Sequence, residues 1–334
     1  MIKVLFISRG DQKGKVVPFI REQGESLQKA GLTVKNYTLK GKGFKGYLNN
    51  ISAIKQEIKS GNFDLIHAHY TLTACVARLA CFSKPFIVSF MGSDVNGIYN
   101  TRGKRIRVIS FLLLLLSNLL ACFSDAAIVK SSDMLKRIIR KKNVTILPNG
   151  VDLEKFCPQD KTECRKLLSL DDSKQYILFL GEKGDQVKNA RLIVDVVDQM
   201  VGGDIELLIP FPVEHELIPR YMNAADVFSL TSFSEGSPNV IKEAMACNCP
   251  IVATSVGDVA WLLGNVKGCF TASLEIMDYK DRISEALHYA NTEGKTNGRQ
   301  KLMELKLDSH SISERLVSVY QSITKIHETG SHNH

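Results

Sequence analysis

The chain has 334 residues, of which 44% are hydrophobic and 23% charged, with a formal net charge of +8. This length excludes one ordinary core and suits two domains, and the composition is that of a soluble globular protein. The charge is unevenly divided: residues 1–150 hold 24 Lys and Arg against 8 Asp and Glu, a net +16, whereas residues 151–334 hold 19 against 27, a net −8.

A basic half of this size points to an anionic surface or ligand. No nucleic-acid-binding motif accompanies it, so no nucleic-acid partner is expected. Anionic lipid headgroups or a lipid-phosphate substrate fit better. The clusters Lys40, Lys42, Lys45 and Lys104, Arg105, Arg107 would each contribute about 1 kcal/mol per basic residue near a membrane surface. The opening MIKVLFIS reads as a buried strand with no basic leader or cleavage site, so no signal peptide is expected. Eight scattered cysteines, mostly in apolar runs, suit a reduced, cytosolic chain. Cys247 and Cys249 lie two apart without a second Cys or His cluster, which favours packing over zinc.

In chain order, strand-like runs fall at Lys3–Ser8, Val34–Leu39, Leu65–His69, Phe86–Met91, Ala126–Val129 and Val144–Leu147. Helical stretches lie between them, at Val16–Ala30, Ile51–Ser60, Thr71–Phe82 and Ser132–Arg140. The alternation resumes with strands at Tyr176–Leu180, Ile205–Ile209, Val227–Leu230, Pro250–Ala253 and Cys269–Ala272. This is the signature of parallel sheets built from strand–helix–strand crossovers. Asn149-Gly150 is a turn signal at the expected domain break. The run Ser311–Thr324 has a helical apolar pattern and is expected to cross back onto the first domain. The division expected is 1–150, 151–310, a closing helix over 311–328, and a tail at 329–334. Residues 108–123, VISFLLLLLSNLLACF, are short for a membrane span and contain Ser110, Ser117 and Asn118. They read as a buried or surface-seated helix, with an interfacial helix beside Lys104, Arg105 and Arg107 as the functional alternative.

Several strand ends carry chemistry. The first strand leads into Ser8-Arg9-Gly10-Asp11-Gln12-Lys13-Gly14, whose glycines suit close approach to phosphates or a plain turn. His67 and His69 share one face of their strand. A metal pair, an acceptor-cleft role for His69 and strand-end packing all stay open. Asp94 falls at a strand's carboxyl end, where doubly wound folds place ligand-binding residues, or it caps a loop. Lys188, and less strongly Lys183, enter a helix after an apolar strand and suit a diphosphate.

Residues 231–255, TSFSEGSPNVIKEAMACNCPIVATS, are the most informative segment. Ser237 suits an N-cap and Pro238 the first helical position. Glu235 lies just before that helix and Glu243 lies on it. A helix N-terminus holds anions, and the two glutamates suit sugar and ribose hydroxyls beside a diphosphate.

These residues resemble the retaining glycosyltransferases of family 4. The resemblance covers nearly the whole chain and is most specific at Tyr221–Val227 and at the pair of glutamates separated by seven residues, Glu235 and Glu243. Asn149-Gly150-Val151-Asp152 with Phe156 is similar to the family's inter-domain linker, and His67-Ala68-His69 and Gly92-Ser93-Asp94 also fit. Within the family the chain looks nearest to bacterial surface-polysaccharide transferases of teichuronic acid type. The resemblance implies a GT-B fold of two Rossmann-like domains facing a central cleft. It implies transfer of a sugar from a nucleotide-sugar to a lipid-linked or glycan acceptor, without a metal or other cofactor. It also implies roles: Glu243 on the donor ribose, Glu235 on the transferred sugar, and the stretch Gly236, Ser237, Pro238, Asn239 and Val240 facing the donor with its backbone N–H groups, of which Pro238 has none. Lys188, with Lys183, would bind the diphosphate, and Gly14 would let the opposite domain reach it. Asp94 and His69 are the acceptor-side candidates. Two positions depart from the family: Glu182 stands where an arginine is frequent, and Met91 where a histidine precedes Gly-Ser-Asp. These departures motivate the alternatives of a non-catalytic nucleotide-sugar-binding protein or, on the same architecture, an epimerase or phosphorylase. The expected location is cytoplasmic, at the inner face of the membrane.

Overall fold

The computed structural model describes residues 1–11, 14–41, 43–100, 103–182, 184–185, 187–200 and 204–330. Lys42, Lys183 and the tail residues 331–334, named above, lie outside the described residues. Two compact units form, one from residues 1–98, 107–150 and 309–334, the other from residues 99–106 and 151–308. Residues 99–106, expected within the first domain, count with the second. An antiparallel bridge pairs Tyr99 with Arg105, and Gly103 lies against the ring of Phe233.

The first unit is a six-stranded parallel sheet. Its strands are β1 (Lys3–Arg9), β2 (Thr33–Leu39), β3 (Leu65–His69), β4 (Phe86–Ser89), β5 (Ala126–Val129) and β6 (Val144–Ile146), in the spatial order β2-β1-β3-β4-β5-β6. The connecting helices are α1 (Pro18–Lys29), α2 (Gly43–Leu48), α3 (Asn50–Gly61), α4 (Thr71–Ala80), α5 (Ser93–Asn96), α6 (Arg107–Phe123) and α7 (Ser132–Arg137). β1, β3, β4 and β5 are buried along most or all of their length, as a sheet covered on both faces requires. Sheet order reverses between β1 and β3, so a crevice opens at their carboxyl ends.

α7 stops at Arg137, three residues short of the expected Arg140. Asn118 explains both this end and its own place in an apolar run. Its Oδ1 accepts from the Ile139 N–H at 2.6 Å and its Nδ2 donates to the Arg137 carbonyl at 3.2 Å. Ser110 and Ser117 also point inward. Ser110 bonds the backbone of Ile98, and Ser117 lies 2.7 Å from the Thr71 hydroxyl. α6 therefore buries its serines beside Leu120 and Ala121, while Val108, Phe111, Leu115, Leu119 and Phe123 are 53–71% exposed. Among the described residues no helix is long and apolar enough to cross a membrane.

The second unit runs α8 (Lys161–Leu167), β7 (Gln175–Phe179), α9 (Ala190–Asp198), β8 (Ile205–Leu208), α10 (Ile218–Ala224), β9 (Val227–Leu230), α11 (Asn239–Ala246), β10 (Ile251–Thr254), α12 (Val259–Leu263), β11 (Cys269–Ala272), α13 (Ile276–Thr292) and α14 (Gly298–Glu304). Its parallel strands lie in the order β11-β10-β9-β7-β8, reversing between β7 and β9. Asp226, just before β9, is the polar anchor. Its carboxylate accepts from Arg165 at 2.8 Å, from the Tyr176 N–H at 2.6 Å and from Lys161, while Arg165 also donates to the Ala224 and Asp172 carbonyls. The closing helix α15 (Ser309–Gly330) belongs to the first unit, where it packs on α1 and sends Arg315 to the Ile146 carbonyl at 3.0 Å.

Candidate functional site

In the second unit the candidate residues gather where the sheet order reverses, at the carboxyl ends of β7 and β9. Thr231, directly after β9, donates its hydroxyl to the Lys188 and Asn189 carbonyls at 2.7 and 3.0 Å, tying the two loops together. Lys188 folds back across the end of β7, its ammonium 2.9 Å from the Leu180 carbonyl. Asp185 accepts from the Val187 and Lys188 N–H groups and fixes that turn.

Glu235 accepts from the Ser232 hydroxyl at 2.9 Å. Burial raises its carboxyl above the usual range. The Lys188 charge and the Ser232 bond offset part of that rise, whereas Asp185 and Asp258 add to it. Glu235 and Lys188, 47 positions apart in sequence, are thus electrostatic neighbours.

The α11 start differs by one residue from expectation. Pro238 is the capping residue, in extended backbone, and Asn239 and Val240 open the helix. Ser237 does not cap because its hydroxyl is used sideways, accepting from Lys242 Nζ at 3.2 Å. Pro238 offers no side-chain cap, and its carbonyl accepts from the Ile241 N–H at 3.3 Å. Gly236 is buried, and Gly257 lies against its carbonyl oxygen with φ at +58°, where a Cβ would press into that oxygen. Only glycine meets both demands.

Glu243 is buried on α11. Its Oε1 lies 3.3 Å from His215 Nε2, and His215 Nδ1 lies 2.6 Å from Lys155 Nζ. An ammonium can only donate, so Nδ1 accepts and the ring proton resides on Nε2, aimed at Glu243. Glu243 Oε2 is buried with no hydrogen-bond partner among the described residues. The arrangement holds one carboxylate oxygen and leaves the other without a hydrogen-bond partner among the described residues.

Sequence reasoning missed Lys155, His215, Lys242 and Asp258. Lys242 is fully buried, and burial lowers its ammonium to about 8 against the opposing charges of Asp258 and Glu243. A lysine inside the buried run Ile241–Ala246 was the available signal. Lys155 and His215 carried none, because 60 residues separate them. Glu182 is exposed.

In the first unit Gly14 has φ at +76° and an open Cβ direction, and its N–H donates to the Asp11 carbonyl at 3.0 Å. Asp94 is buried and acts on its own loop. Oδ1 accepts from the Met91 and Gly92 N–H groups at 3.0 and 2.9 Å, and Oδ2 from the Thr71 N–H at 3.2 Å. Burial raises its carboxyl and these amides oppose the rise. His69 is buried and stacked on His67, with ring centroids 4.4 Å apart. Burial and the Lys130 charge lower its imidazole to about 3, so it is neutral. His67 bonds Tyr320 and Ser89 at 2.6 and 2.7 Å. Among the described residues no three His, Cys, Asp or Glu side chains form a metal-sized group. Cys247 and Cys249 are buried free thiols.

Residues 11–155 match the model of Glycosyltransferase Family 4, and residues 206–288 match that of Glycosyl transferases group 1. A D-inositol 3-phosphate glycosyltransferase of Geodermatophilus obscurus is 25% identical over 276 residues, 68% of this chain and 60% of that protein. The putative teichuronic acid biosynthesis glycosyltransferase TuaC of Bacillus subtilis is 26% identical over 238 residues, 64% of this chain and 59% of that protein. The chain thus matches about 60% of the length of these curated relatives. Among solved structures, sucrose-phosphate synthase of Thermosynechococcus elongatus aligns with a TM-score of 0.81 at 18% identity, over 98% of this chain and 100% of that one. HepE of Anabaena in complex with UDP aligns at 0.72 and 17%, over 96% and 100%. These structures share the fold of two doubly wound α/β domains. On that fold the chain carries a Glycosyltransferase Family 4 domain over residues 11–155 and a group 1 glycosyltransferase domain over residues 206–288.

Proposed function

We propose that the protein is a retaining glycosyltransferase that moves a sugar from a nucleotide-sugar to a lipid-linked or glycan acceptor in cell-surface glycan synthesis. One observation carries the donor half of this reading. Glu235, Lys188 and the start of α11 meet at the sheet reversal, while Glu243 offers a buried, unpartnered Oε2. In this reading Glu243 takes the ribose and Lys188 the diphosphate. Glu235 contacts the transferred sugar, and the backbone N–H groups over residues 236–240, Pro238 excepted, face the donor. Hydrogen bonds aimed at the departing diphosphate stabilise its developing charge. The UDP bound in HepE supports a nucleotide donor. The name of TuaC supports a surface-glycan acceptor, as does that of the Escherichia coli galactosyltransferase acting on GlcNAc-diphosphoundecaprenol, 24% identical.

Asp94 serves the acceptor side by holding the β4–α5 turn, and His69 serves it as a neutral, packed imidazole. No divalent cation is required, since no paired-aspartate motif of the metal-dependent transferases is present, and activity should persist in chelator. The protein works in the cytoplasm, at the inner face of the membrane. The outward apolar face of α6 supports this seat. Completing the burial of its exposed Val108, Phe111, Leu112, Leu115, Leu119 and Phe123 side chains is worth roughly 1 kcal/mol each, and the basic flank adds attraction to anionic lipid.

Calorimetric titration of nucleotides and nucleotide-sugars tests the donor half. Glu243→Ala and Lys188→Ala should each weaken binding at least tenfold, and unchanged affinity in both would overturn the site assignment. Binding to anionic vesicles should fall with added salt, and no binding at low salt would remove the membrane seat.

A further inference from the structure

The first unit has a cavity of about 330 Å³ at its own sheet reversal, lined by Arg9 and Gly10 from the end of β1 and by Tyr70, Thr71 and Thr73 from the end of β3 and start of α4. This volume lies within the range of small-molecule sites. Arg9 is exposed at the rim. Its Nη1 donates to the Tyr47 hydroxyl at 3.2 Å, and its guanidinium lies 5.6 Å from the Tyr47 ring centroid. That single bond leaves most of its planar fork of donors available.

Thr73 is fully buried, and its hydroxyl has no hydrogen-bond partner among the described residues. It sits in the first turn of α4, a ten-residue helix whose positive dipole end opens on the same cavity. A buried hydroxyl without a partner costs free energy that a ligand oxygen would recover. Asp94 is the acidic group in the lining, and its carboxylate is engaged by the amides of Thr71, Met91 and Gly92. The cavity therefore combines a free cationic fork, a helix N-terminus and an orphan hydroxyl, a set of donors that suits a phosphate.

We propose that this cavity binds the phosphate ester of a phosphorylated acceptor, with Arg9 and Tyr47 at its mouth and Thr73 with the start of α4 at its base. The proposal rests on the glycosyl-transfer reading and adds to it the chemical class of the acceptor. The phosphate belongs either to a lipid headgroup or to a soluble phosphate ester, and both present the same group to Arg9.

The test follows backbone amide resonances of the full chain as inorganic phosphate is added. The Leu72 and Thr73 amides should shift and saturate. Arg9→Gln should raise the Kd read at those amides about tenfold, the effect of one charge-assisted hydrogen bond, and Thr73→Val should raise it several-fold. Arg9 is exposed, so its replacement leaves the core intact. Unmoved amides at Leu72 and Thr73, or equal affinity in Arg9→Gln, would overturn the proposal. Vesicles of phosphatidylglycerol in phosphatidylcholine separate the two sources. Weaker vesicle binding by Arg9→Gln than by Lys45→Gln, an exposed basic control outside the cavity lining, assigns the pocket to a headgroup. Equal binding by the two, with phosphate affinity lost in Arg9→Gln, assigns it to a soluble ester. Nucleotide titration of the wild type reports on the donor reading alone, so failure there is distinguishable from failure at Arg9.

Discussion

Replacing His215 by alanine should weaken nucleotide binding by releasing Glu243. The bond from His215 Nε2 to Glu243 Oε1 is 3.3 Å, long for an N–H···O bond. Hydrogen bonds to charged groups are worth roughly 1.5–3 kcal/mol, and this length places it near the lower end. About 1.4 kcal/mol is tenfold in affinity, so Kd should rise about tenfold in His215→Ala. Lys155, 2.6 Å from Nδ1, holds the proton on Nε2, so Lys155→Met should give part of the same loss. The assay is calorimetric titration of the nucleotide that binds best into wild type, His215→Ala, Glu243→Gln and the double variant. A residue that acts through Glu243 has nothing left to act on once that carboxylate is gone. The double variant should therefore bind about as weakly as Glu243→Gln, with a coupling close to the whole His215 effect. Independent, additive losses would refute the reasoning and make His215 a direct contact or a folding residue.

Three further outcomes follow from the geometry. Asp226→Ala leaves Arg165, itself buried, without its charge partner; the second unit should lose about 3–5 kcal/mol, read by urea denaturation, and a loss below 1 kcal/mol would contradict the role given to Asp226. Gly257→Ala places a Cβ against the Gly236 carbonyl at positive φ. Donor affinity should fall about tenfold with the far-ultraviolet circular dichroism unchanged, from strain on the order of 1–2 kcal/mol, whereas wild-type affinity would show that the loop yields. The His69 imidazole is lowered by burial to about 3 from a usual 6.5. Its contribution to stability is full above about pH 6.5 and is lost as pH falls from there toward 3, because the unfolded chain takes up the proton first. The loss approaches about 1.4 kcal/mol per pH unit, and His67 acts in the same direction. A urea midpoint that does not move between pH 7 and pH 5 would rule this out.

Much of the fold was legible in the sequence. All eleven strand runs appear within one or two residues of their expected limits, since a strand covered on both faces needs a continuous apolar run. The apolar spacing at Ile312, Leu316 and Tyr320 marked the face that α15 buries; which unit that face joins was not written in it. The Glu235–Glu243 segment could be read as one candidate unit, because its loop, helix start and two carboxylates are local in sequence. Local signals failed where a long-range contact decided the outcome. Ser237 has the chemistry of an N-cap but serves Lys242 instead. The segment 108–123, read as a buried or surface-seated helix, leaves Leu112, Leu115 and Leu119 exposed and buries Leu120, because Ser110, Ser117 and Asn118 have partners on other elements.

The sequence by itself determined the alternating parallel architecture, the family and the two glutamates, because each is written in a contiguous pattern of side chains. Tertiary structure alone decided what those glutamates touch and which other residues share their sites. It set His215 and Lys155 behind Glu243, turned Asp94 onto its own loop, and opened a cavity with Arg9 and Thr73 on either side. Hydrogen bonds and Coulombic forces act over a few ångströms of space, and 60 residues of chain can separate the two ends of one such bond.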